Sequence, residues 1–270
     1  MATIEGVLLD IDGVLTVSWH PLPGAVAAVA ALRALGLPMR FLTNTTSRTR
    51  RAIADTLVSA GFAIEPSEIL TAPAATATYL RKAHPGQRCY LLSSGDVVAE
   101  LAGVKLVGDQ DPAEVVVLGG AGPEFSYENL NHAFHLLSGG AALVAMHRNM
   151  LWRTDGGLDL DAGAYVSGLE RAANKQAEVV GKPSRLFYGA ALAALGTPAS
   201  RTLMVGDDIE ADIVGAQAAG IRAVLVRTGK FRESDLARSA SHPDAILDSI
   251  VDLPRWIASM ALKGVMGDER

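Results

Sequence analysis

Short apolar runs alternate with helical segments at both ends of this sequence, and that alternation is what most constrains the fold. The apolar runs lie at residues 4–9, 38–42, 202–205 and 222–226. The helical segments that follow or separate them lie at residues 24–35, 47–60, 184–195 and 209–219. Strands that alternate with helices form parallel sheets covered on both faces. The sequence therefore predicts an α/β fold with a Rossmann-like parallel-sheet core.

The middle of the sequence contains a second set of such elements. Predicted strands lie at residues 89–92, 115–118 and 142–145, and predicted helices at 127–137 and 162–173. This pattern indicates an α/β domain inserted into the first. We predict a core formed by residues 1–79 and 179–270, with residues 80–178 as the inserted domain.

Composition narrows the classes of protein to which the chain can belong. The 270 residues are 49% apolar and carry a formal net charge of −5. This acidity argues against a nucleic-acid partner, because duplex binders usually show a basic stripe. No segment approaches the roughly 20 uninterrupted apolar residues of a membrane span, and the first residues do not match a signal peptide. Cys89 is the sole cysteine and is expected to be a core residue. We predict a cytoplasmic protein without a membrane partner.

The most informative motif is Asp-Ile-Asp-Gly-Val-Leu at residues 10–15, directly after the first predicted strand. Ligands of an open parallel sheet bind beyond the carboxyl ends of its strands. Asp10 and Asp12 are at such an end, and two carboxylates so close together repel each other unless a cation lies between them. Taken alone, the motif also fits a solvated acidic turn.

Three further predicted strand ends carry polar groups. The segment Thr-Asn-Thr-Thr at residues 43–46 precedes a helix and suits an anion, although helix capping explains some of the same residues. Lys182, in Gly-Lys-Pro, either neutralises a phosphoryl group or is an ordinary surface lysine. Asp207 and Asp212 follow the strand at 202–205 and form a second acidic cluster. Because a few carboxylates suffice for Mg²⁺, we expect this ion at the same sheet edge.

These four segments, in this order, resemble the four signature motifs of the haloacid dehalogenase superfamily of hydrolases. The insertion between the second and third motifs is similar to the α/β cap of the NagD-like subfamily. The resemblance implies a Mg²⁺-dependent phosphatase that hydrolyses a small phosphorylated compound through a phospho-aspartate intermediate. A phosphotransferase with another acceptor, and a non-catalytic phosphate-binding protein, are the alternative functions on this fold.

The resemblance also implies roles for the acidic residues. Asp10 is expected to be the nucleophile, and Asp12 the general acid and then the general base. Some members of the subfamily carry serine at the position of Asp12, whereas this sequence keeps the aspartate. Mg²⁺ is expected at Asp10, the backbone carbonyl of Asp12, and Asp207, with support from Asp212.

The remaining motif residues are expected to contact the phosphoryl group. By the same resemblance, Thr43 and Asn44 donate hydrogen bonds to its oxygens. Lys182 offsets the negative charge of Asp10 and of the phosphate, which makes it both a catalytic and a substrate-binding residue.

The inserted domain supplies weaker candidates. His147 and Arg148 follow the predicted strand at 142–145 and are expected to bind the part of the substrate beyond the phosphate. The alternative is an ordinary polar loop. Less strongly supported candidates for the same role are Trp152, Arg153 and Tyr165.

The predicted helix at residues 127–137 carries two histidines. His132 and His135 lie one turn apart, like metal ligands, but the sequence offers no third zinc ligand. Core packing or a homodimer contact through the cap explains this helix better.

Overall fold

A computed structural model of the chain describes residues 3–154 and 157–267. Its contacts divide the chain into two compact units. The first unit comprises Met1–Thr43, Arg50–Leu70 and Phe187–Arg270, and the second comprises Asn44–Thr49 and Thr71–Leu186.

The strands and helices alternate along much of the chain, as predicted. The strands are β1 Gly6–Asp10, β2 Thr16–Val17, β3 His20–Pro21, β4 Met39–Thr43, β5 Ile69–Thr71, β6 Arg88–Leu92, β7 Lys105–Val107, β8 Val115–Leu118, β9 Ala142–Ala145, β10 Leu151–Thr154, β11 Gly157–Leu160, β12 Glu178–Val179, β13 Thr202–Gly206, β14 Arg222–Val226 and β15 Ala245–Leu247. The α-helices are α1 Ala25–Ala34, α2 Arg50–Ser59, α3 Ala72–Ala83, α4 Tyr127–Ser138, α5 Ala162–Ala173, α6 Arg185–Leu195, α7 Gly215–Ala218, α8 Glu233–Arg238 and α9 Leu253–Gly267.

The first unit is built on a sheet with the strand order β15-β14-β13-β1-β4-β5. Strand β1 pairs in parallel with β13 on one side and with β4 on the other. All five residues of β1 are buried, as expected for a central strand of a parallel sheet covered on both faces. The sheet therefore places the ends of β4, β1 and β13 side by side.

One cluster of buried side chains joins this sheet to its helices. It includes Leu9, Leu32, Phe41, Ile53, Val205 and Val224. Each such side chain stabilises the fold by about 1.5–3 kcal/mol relative to an exposed position. This packing holds the strand ends in fixed positions.

The second unit contains its own parallel sheet, with the order β12-β9-β8-β6-β7. Helices α4 and α5 pack on it through a second buried cluster. That cluster includes Tyr90, Val116, Ala133, Leu137, Leu143 and Val166. The prediction of an α/β protein with parallel sheets is confirmed.

Residues 44–49, 71–79 and 179–186 fall in the second unit, although the predicted boundaries assign them to the core. Helix α3 contacts the short 3₁₀ helix Val98–Leu101. The amides of Val180 and Gly181 donate to the carbonyls of Ala145 and Met146, both at 2.9 Å. These contacts explain why residues 71–79 and 179–186 group with the second unit. The domain boundaries stay a prediction.

Within residues 3–154 and 157–267, no helix combines the length and apolar character needed to cross a membrane.

Candidate active site

Three aspartates converge at one edge of the first unit's sheet. Asp10 ends β1, and Asp207 directly follows the neighbouring strand β13, in which Val205 pairs with Leu9. Asp212 lies in the π-helical turn Ile209–Val214. All three side chains are buried, and one carboxylate oxygen from each lies within 4.8 Å of the others. The strand-end argument therefore places these residues together correctly.

Asp207 carries the clearest electrostatic signature of this cluster. Burial, helped by the nearby carboxylates of Asp10 and Asp212, raises its pKa to about 8, while the backbone N–H of Lys230 opposes the shift. That N–H donates to Oδ2 of Asp207 at 2.6 Å. Oδ1 is buried and has no hydrogen-bond partner among the described residues. A buried, unpaired oxygen amid other carboxylates is the setting in which a cation is stabilising, and Mg²⁺ prefers such oxygen ligands.

Two glycines let the backbone approach Asp207 closely. Gly13 has φ +97°, and a Cβ added there would lie 2.0 Å from Oδ2 of Asp207. Gly229 has φ +58°, and its Cβ would lie 2.1 Å from the same oxygen. The hydroxyl of Thr228 donates to the carbonyl of Gly13, joining the two loops. A side chain at either glycine would therefore displace the Asp207 carboxylate.

The turn that carries Asp212 is held by its own polar groups. The carboxylate of Asp208 accepts hydrogen bonds from the amides of Glu210 and Ala211, both at 3.0 Å. The amide of Asp208 donates to Oδ2 of Asp212 at 3.2 Å. These bonds orient the Asp212 carboxylate within the acidic cluster.

Asp12 and Thr43 belong to the same unit. Asp12 is exposed, unlike Asp10, and lies in a turn closed by the amide of Gly13, which donates to the carbonyl of Thr16 at 2.6 Å. Thr43 is buried and ends β4, one residue beyond Leu42, the residue paired with Asp10. Thr43 and Asp10 thus end neighbouring strands.

Asn44 and Lys182 are brought together in the second unit. The amide N–H of Lys182 donates to Oδ1 of Asn44 at 2.9 Å, and Nδ2 of Asn44 donates to the carbonyl of Lys182 at 3.0 Å. The Lys182 side chain is buried. Asn44 therefore clamps the backbone of Lys182, a contact across 138 positions of sequence that was not predicted. The phosphate-binding roles of both residues stay predictions.

His147 and Arg148 make separate contacts inside the second unit. The His147 ring is 1% exposed, its Nδ1 accepts from the amide of Asn149 at 3.2 Å, and its Nε2 lies 3.8 Å from Asp161. Burial lowers the pKa of His147, while the Asp161 carboxylate opposes the shift. Arg148 forms an ion pair with Glu170. Their roles in substrate recognition stay predictions.

The other candidates in the second unit are placed as follows. The side chains of Trp152 and Arg153 lie outside the described part of the structure, and the ring of Tyr165 packs on Phe125 at 4.8 Å. The ring of His132 packs edge-on against Tyr90, also at 4.8 Å. Among the described residues, the group found with metal-ligand geometry is the aspartate cluster, and it includes neither His132 nor His135.

Cys89 is buried, and burial raises the pKa of its thiol to about 11. At neutral pH the thiol is therefore protonated and a poor nucleophile. This agrees with the expected core position.

The homodimer through this unit stays a prediction.

Several residues around the acidic cluster were not expected to take part. Thr228 and Lys230 follow β14, which pairs with β13. Gly229 follows β14, the strand beside the one that Asp207 follows, and such a glycine is the sequence signal that could have pointed to this loop. Tyr188, whose hydroxyl bonds the Asp212 turn, carries no comparable signal in the sequence.

Related proteins match nearly the whole chain. The haloacid dehalogenase-like hydrolase family matches residues 7–107, and the HAD-hydrolase-like family matches residues 179–253. The phospholysine phosphohistidine inorganic pyrophosphate phosphatase of Xenopus laevis is 41% identical, over 92% of this chain and 91% of that protein. The Homo sapiens protein of the same name is 40% identical, over 93% of this chain and 92% of that protein.

Solved structures share the same fold. The p-nitrophenyl phosphatase from Archaeoglobus fulgidus superposes with a TM-score of 0.87 and 30% identity, covering 94% of this chain and 99% of that one. NagD from E. coli K-12 superposes with a TM-score of 0.85 and 28% identity, covering 93% of this chain and 98% of that one. The chain therefore belongs to the haloacid dehalogenase-like hydrolases, in their NagD-like branch. Within that family it is a phosphatase.

Proposed function

We propose that the chain is a Mg²⁺-dependent phosphatase that hydrolyses a small phosphorylated compound through a phospho-aspartate on Asp10. The observation that carries this proposal is the buried cluster of Asp10, Asp207 and Asp212, in which Oδ1 of Asp207 has no hydrogen-bond partner within the described part of the chain. Three carboxylates held this close in a buried site repel one another. A divalent cation removes that repulsion and makes the cluster stable as an ionised site.

The residues that would hold Mg²⁺ are the carboxylates of Asp10, Asp207 and Asp212 and the backbone carbonyl of Asp12. When bound, the ion offsets the negative charge of the carboxylates and of the phosphoryl group. The carbonyl of Asp12 is included on the family resemblance, and the three carboxylates on their geometry.

In the proposed reaction, a carboxylate oxygen of Asp10 attacks phosphorus, and the bond from phosphorus to the leaving oxygen breaks. Asp12 donates a proton to that leaving oxygen. A water then attacks the aspartyl phosphate and gives its proton to Asp12, and the bond from phosphorus to Asp10 breaks. Inorganic phosphate leaves, and both aspartates return to their starting states. The exposed position of Asp12 supports its exchange of protons with substrate and water.

Thr43, Asn44 and Lys182 are assigned to phosphate binding through the family resemblance. Thr43 ends the strand beside Asp10. Lys182 supplies positive charge to the phosphate. Besides binding phosphate, Asn44 holds the Lys182 backbone, because both polar atoms of its side-chain amide form hydrogen bonds with it. We propose that Asn44 sets the position from which Lys182 acts.

The test of this function is release of inorganic phosphate by the purified chain with Mg²⁺ present. p-Nitrophenyl phosphate is the general probe, since a structural relative is named for hydrolysing it. A panel of sugar phosphates, nucleotides, phosphoglycolate, pyridoxal phosphate, pyrophosphate and phosphoamino acids then identifies the substrate class. Pyrophosphate, phospholysine and phosphohistidine belong in this panel because they appear in the names of the sequence relatives. Absence of phosphate release from the whole panel would contradict the proposal.

The affinity for Mg²⁺ is expected to rise with pH. Asp207 has a pKa of about 8, so in the metal-free chain its carboxyl carries a proton below that pH, and the proton must leave when Mg²⁺ binds. The ionised fraction of such a group is about one tenth at pH 7 and about nine tenths at pH 9. The dissociation constant measured by calorimetry should therefore fall about tenfold between these pH values. An affinity that is independent of pH would contradict the raised pKa.

We propose that the loop after β9 recognises the rest of the substrate. Arg148 would bind a second anionic group with paired hydrogen bonds, and His147 would hold the loop through its bond to the amide of Asn149. Arg148→Ala should lower kcat/KM for a substrate with two anionic groups by about 10–150-fold, since a hydrogen bond to a charged group contributes about 1.5–3 kcal/mol. p-Nitrophenyl phosphate should be much less affected because it lacks the second group.

Two matched variants separate recognition from folding. Arg171→Ala removes an exposed arginine from helix α5 and should change neither substrate's rate. Glu170→Gln breaks the ion pair with Arg148 but keeps the guanidinium, so it should retain the preference for the doubly anionic substrate. An equal loss for both substrates in Arg148→Ala would show that this residue does not set specificity.

A further inference from the structure

A buried tyrosine outside the four motifs contacts the turn that carries Asp212. Tyr188 lies in helix α6 and is fully buried. Its hydroxyl donates to the carbonyl of Ala211 at 2.8 Å and lies 3.2 Å from the carbonyl of Asp212. The contact spans 23 positions of sequence and joins a core helix to the acidic cluster.

The geometry of the turn explains why a side-chain donor is placed there. In a regular α-helix, the amide of Gly215 would bond the carbonyl of Ala211, four residues earlier. In the π-helical turn it donates to the carbonyls of Asp212 and Glu210 instead. The Ala211 carbonyl thus loses its regular helical partner, and the Tyr188 hydroxyl supplies a donor. Single π-helical turns are frequent at functional sites.

We propose that Tyr188 is a positioning residue that holds the Asp212 turn in its metal-binding conformation before Mg²⁺ arrives. The inference rests on the proposed function, because it assigns Mg²⁺ to the aspartate cluster. Tyr188 acts through the backbone of residues 211 and 212, while the backbone amide of Asp208 orients the Asp212 carboxylate. Groups that orient metal ligands typically change metal affinity by about 10–100-fold when they are removed.

The test is Tyr188→Phe, which keeps the ring and removes only the hydroxyl. The dissociation constant for Mg²⁺, measured by calorimetry without substrate, should rise about tenfold, the lower end for a group that orients a ligand indirectly. Saturating Mg²⁺ should then restore kcat to nearly the wild-type value, which it would not do if the variant had lost its fold.

Tyr90→Phe is the matched control. Tyr90 is also a buried tyrosine, but its hydroxyl has no hydrogen-bond partner among the described residues. Its removal should leave Mg²⁺ affinity unchanged. A tenfold weakening in Tyr188→Phe together with normal affinity in Tyr90→Phe would support the proposal.

A second measurement uses the wild-type chain and does not depend on the variant folding. Hydrogen exchange of residues 209–215 should already be slow in the metal-free protein, because Tyr188 holds the turn in advance. Protection that develops only after Mg²⁺ is added would overturn the proposal.

The outcomes distinguish this inference from the function on which it rests. If the wild-type chain binds Mg²⁺ and Tyr188→Phe binds it equally well, the role of Tyr188 is overturned and the phosphatase proposal stands. If the wild-type chain does not bind Mg²⁺, both are overturned.

Discussion

Replacing Asp10 with asparagine should abolish the turnover of p-nitrophenyl phosphate while the chain keeps its fold. An amide has almost the shape of a carboxylate but is a very poor nucleophile, so no aspartyl phosphate forms. Removal of a nucleophile that acts together with other groups typically costs about 10⁴-fold or more in kcat. Residual activity should therefore lie near the detection limit of a phosphate-release assay.

The fold of Asp10→Asn is expected to survive for an electrostatic reason. Asp10 is buried beside Asp207 and Asp212, and its charge contributes to raising the pKa of Asp207. A neutral amide lowers the repulsion within the cluster, so the melting temperature of the metal-free variant should equal or exceed that of the wild type.

Asp12→Asn is the comparison that separates the two proposed roles. It removes the general acid but keeps the nucleophile, so it should still hydrolyse p-nitrophenyl phosphate slowly, because that leaving group needs little protonation. The rate of Asp12→Asn on alkyl phosphates should fall far more, because their leaving alcohols need a proton. Wild-type rates in Asp10→Asn would refute the assignment of the nucleophile.

Removal of divalent cations should also abolish turnover, and this loss should be reversible. The nucleophile and the phosphate are both anionic, and Mg²⁺ bound at the cluster of Asp10, Asp207 and Asp212 would offset their repulsion. A chelator should therefore reduce activity to background, and excess Mg²⁺ should restore it. Full activity in the chelator would exclude the proposed role of the ion.

Metal binding can be followed without any reaction. A ligand that binds only the folded state stabilises it by about 2.7 kcal/mol at a concentration 100 times its dissociation constant. Mg²⁺ should thus raise the melting temperature of the wild type, and Asp207→Asn should largely remove this increase. A metal-dependent activity without a shift in melting temperature would contradict Mg²⁺ binding at the cluster of Asp10, Asp207 and Asp212.

The fold class and most of the acidic cluster could be predicted from the sequence. Apolar runs ending in acids identify β1 and β13, and parallel strands end at one edge of a sheet. That rule alone brings Asp10 and Asp207 together. The spacing of Asp212 from Asp207 places it in the following helical turn, close enough to join them.

Several elements escaped prediction because they are too short to show a recognisable sequence pattern. Strand β15 has only three residues and pairs with β14, and the hairpin of β10 and β11 forms through cross-strand partners such as Leu151 and Leu160. Short segments like these lack a periodic pattern long enough to distinguish them from loops.

By itself, the sequence determined which strands end in acids and hydroxyls, because local apolar patterns specify strands and their order along the chain. Only the tertiary structure decided how those groups are held. The Asn44 clamp on Lys182, the Lys230 amide on Asp207 and the Tyr188 hydroxyl on the Asp212 turn join residues 138, 23 and 24 positions apart. Such contacts form when packing brings distant backbone donors and acceptors within hydrogen-bond distance, and local sequence does not encode that distance.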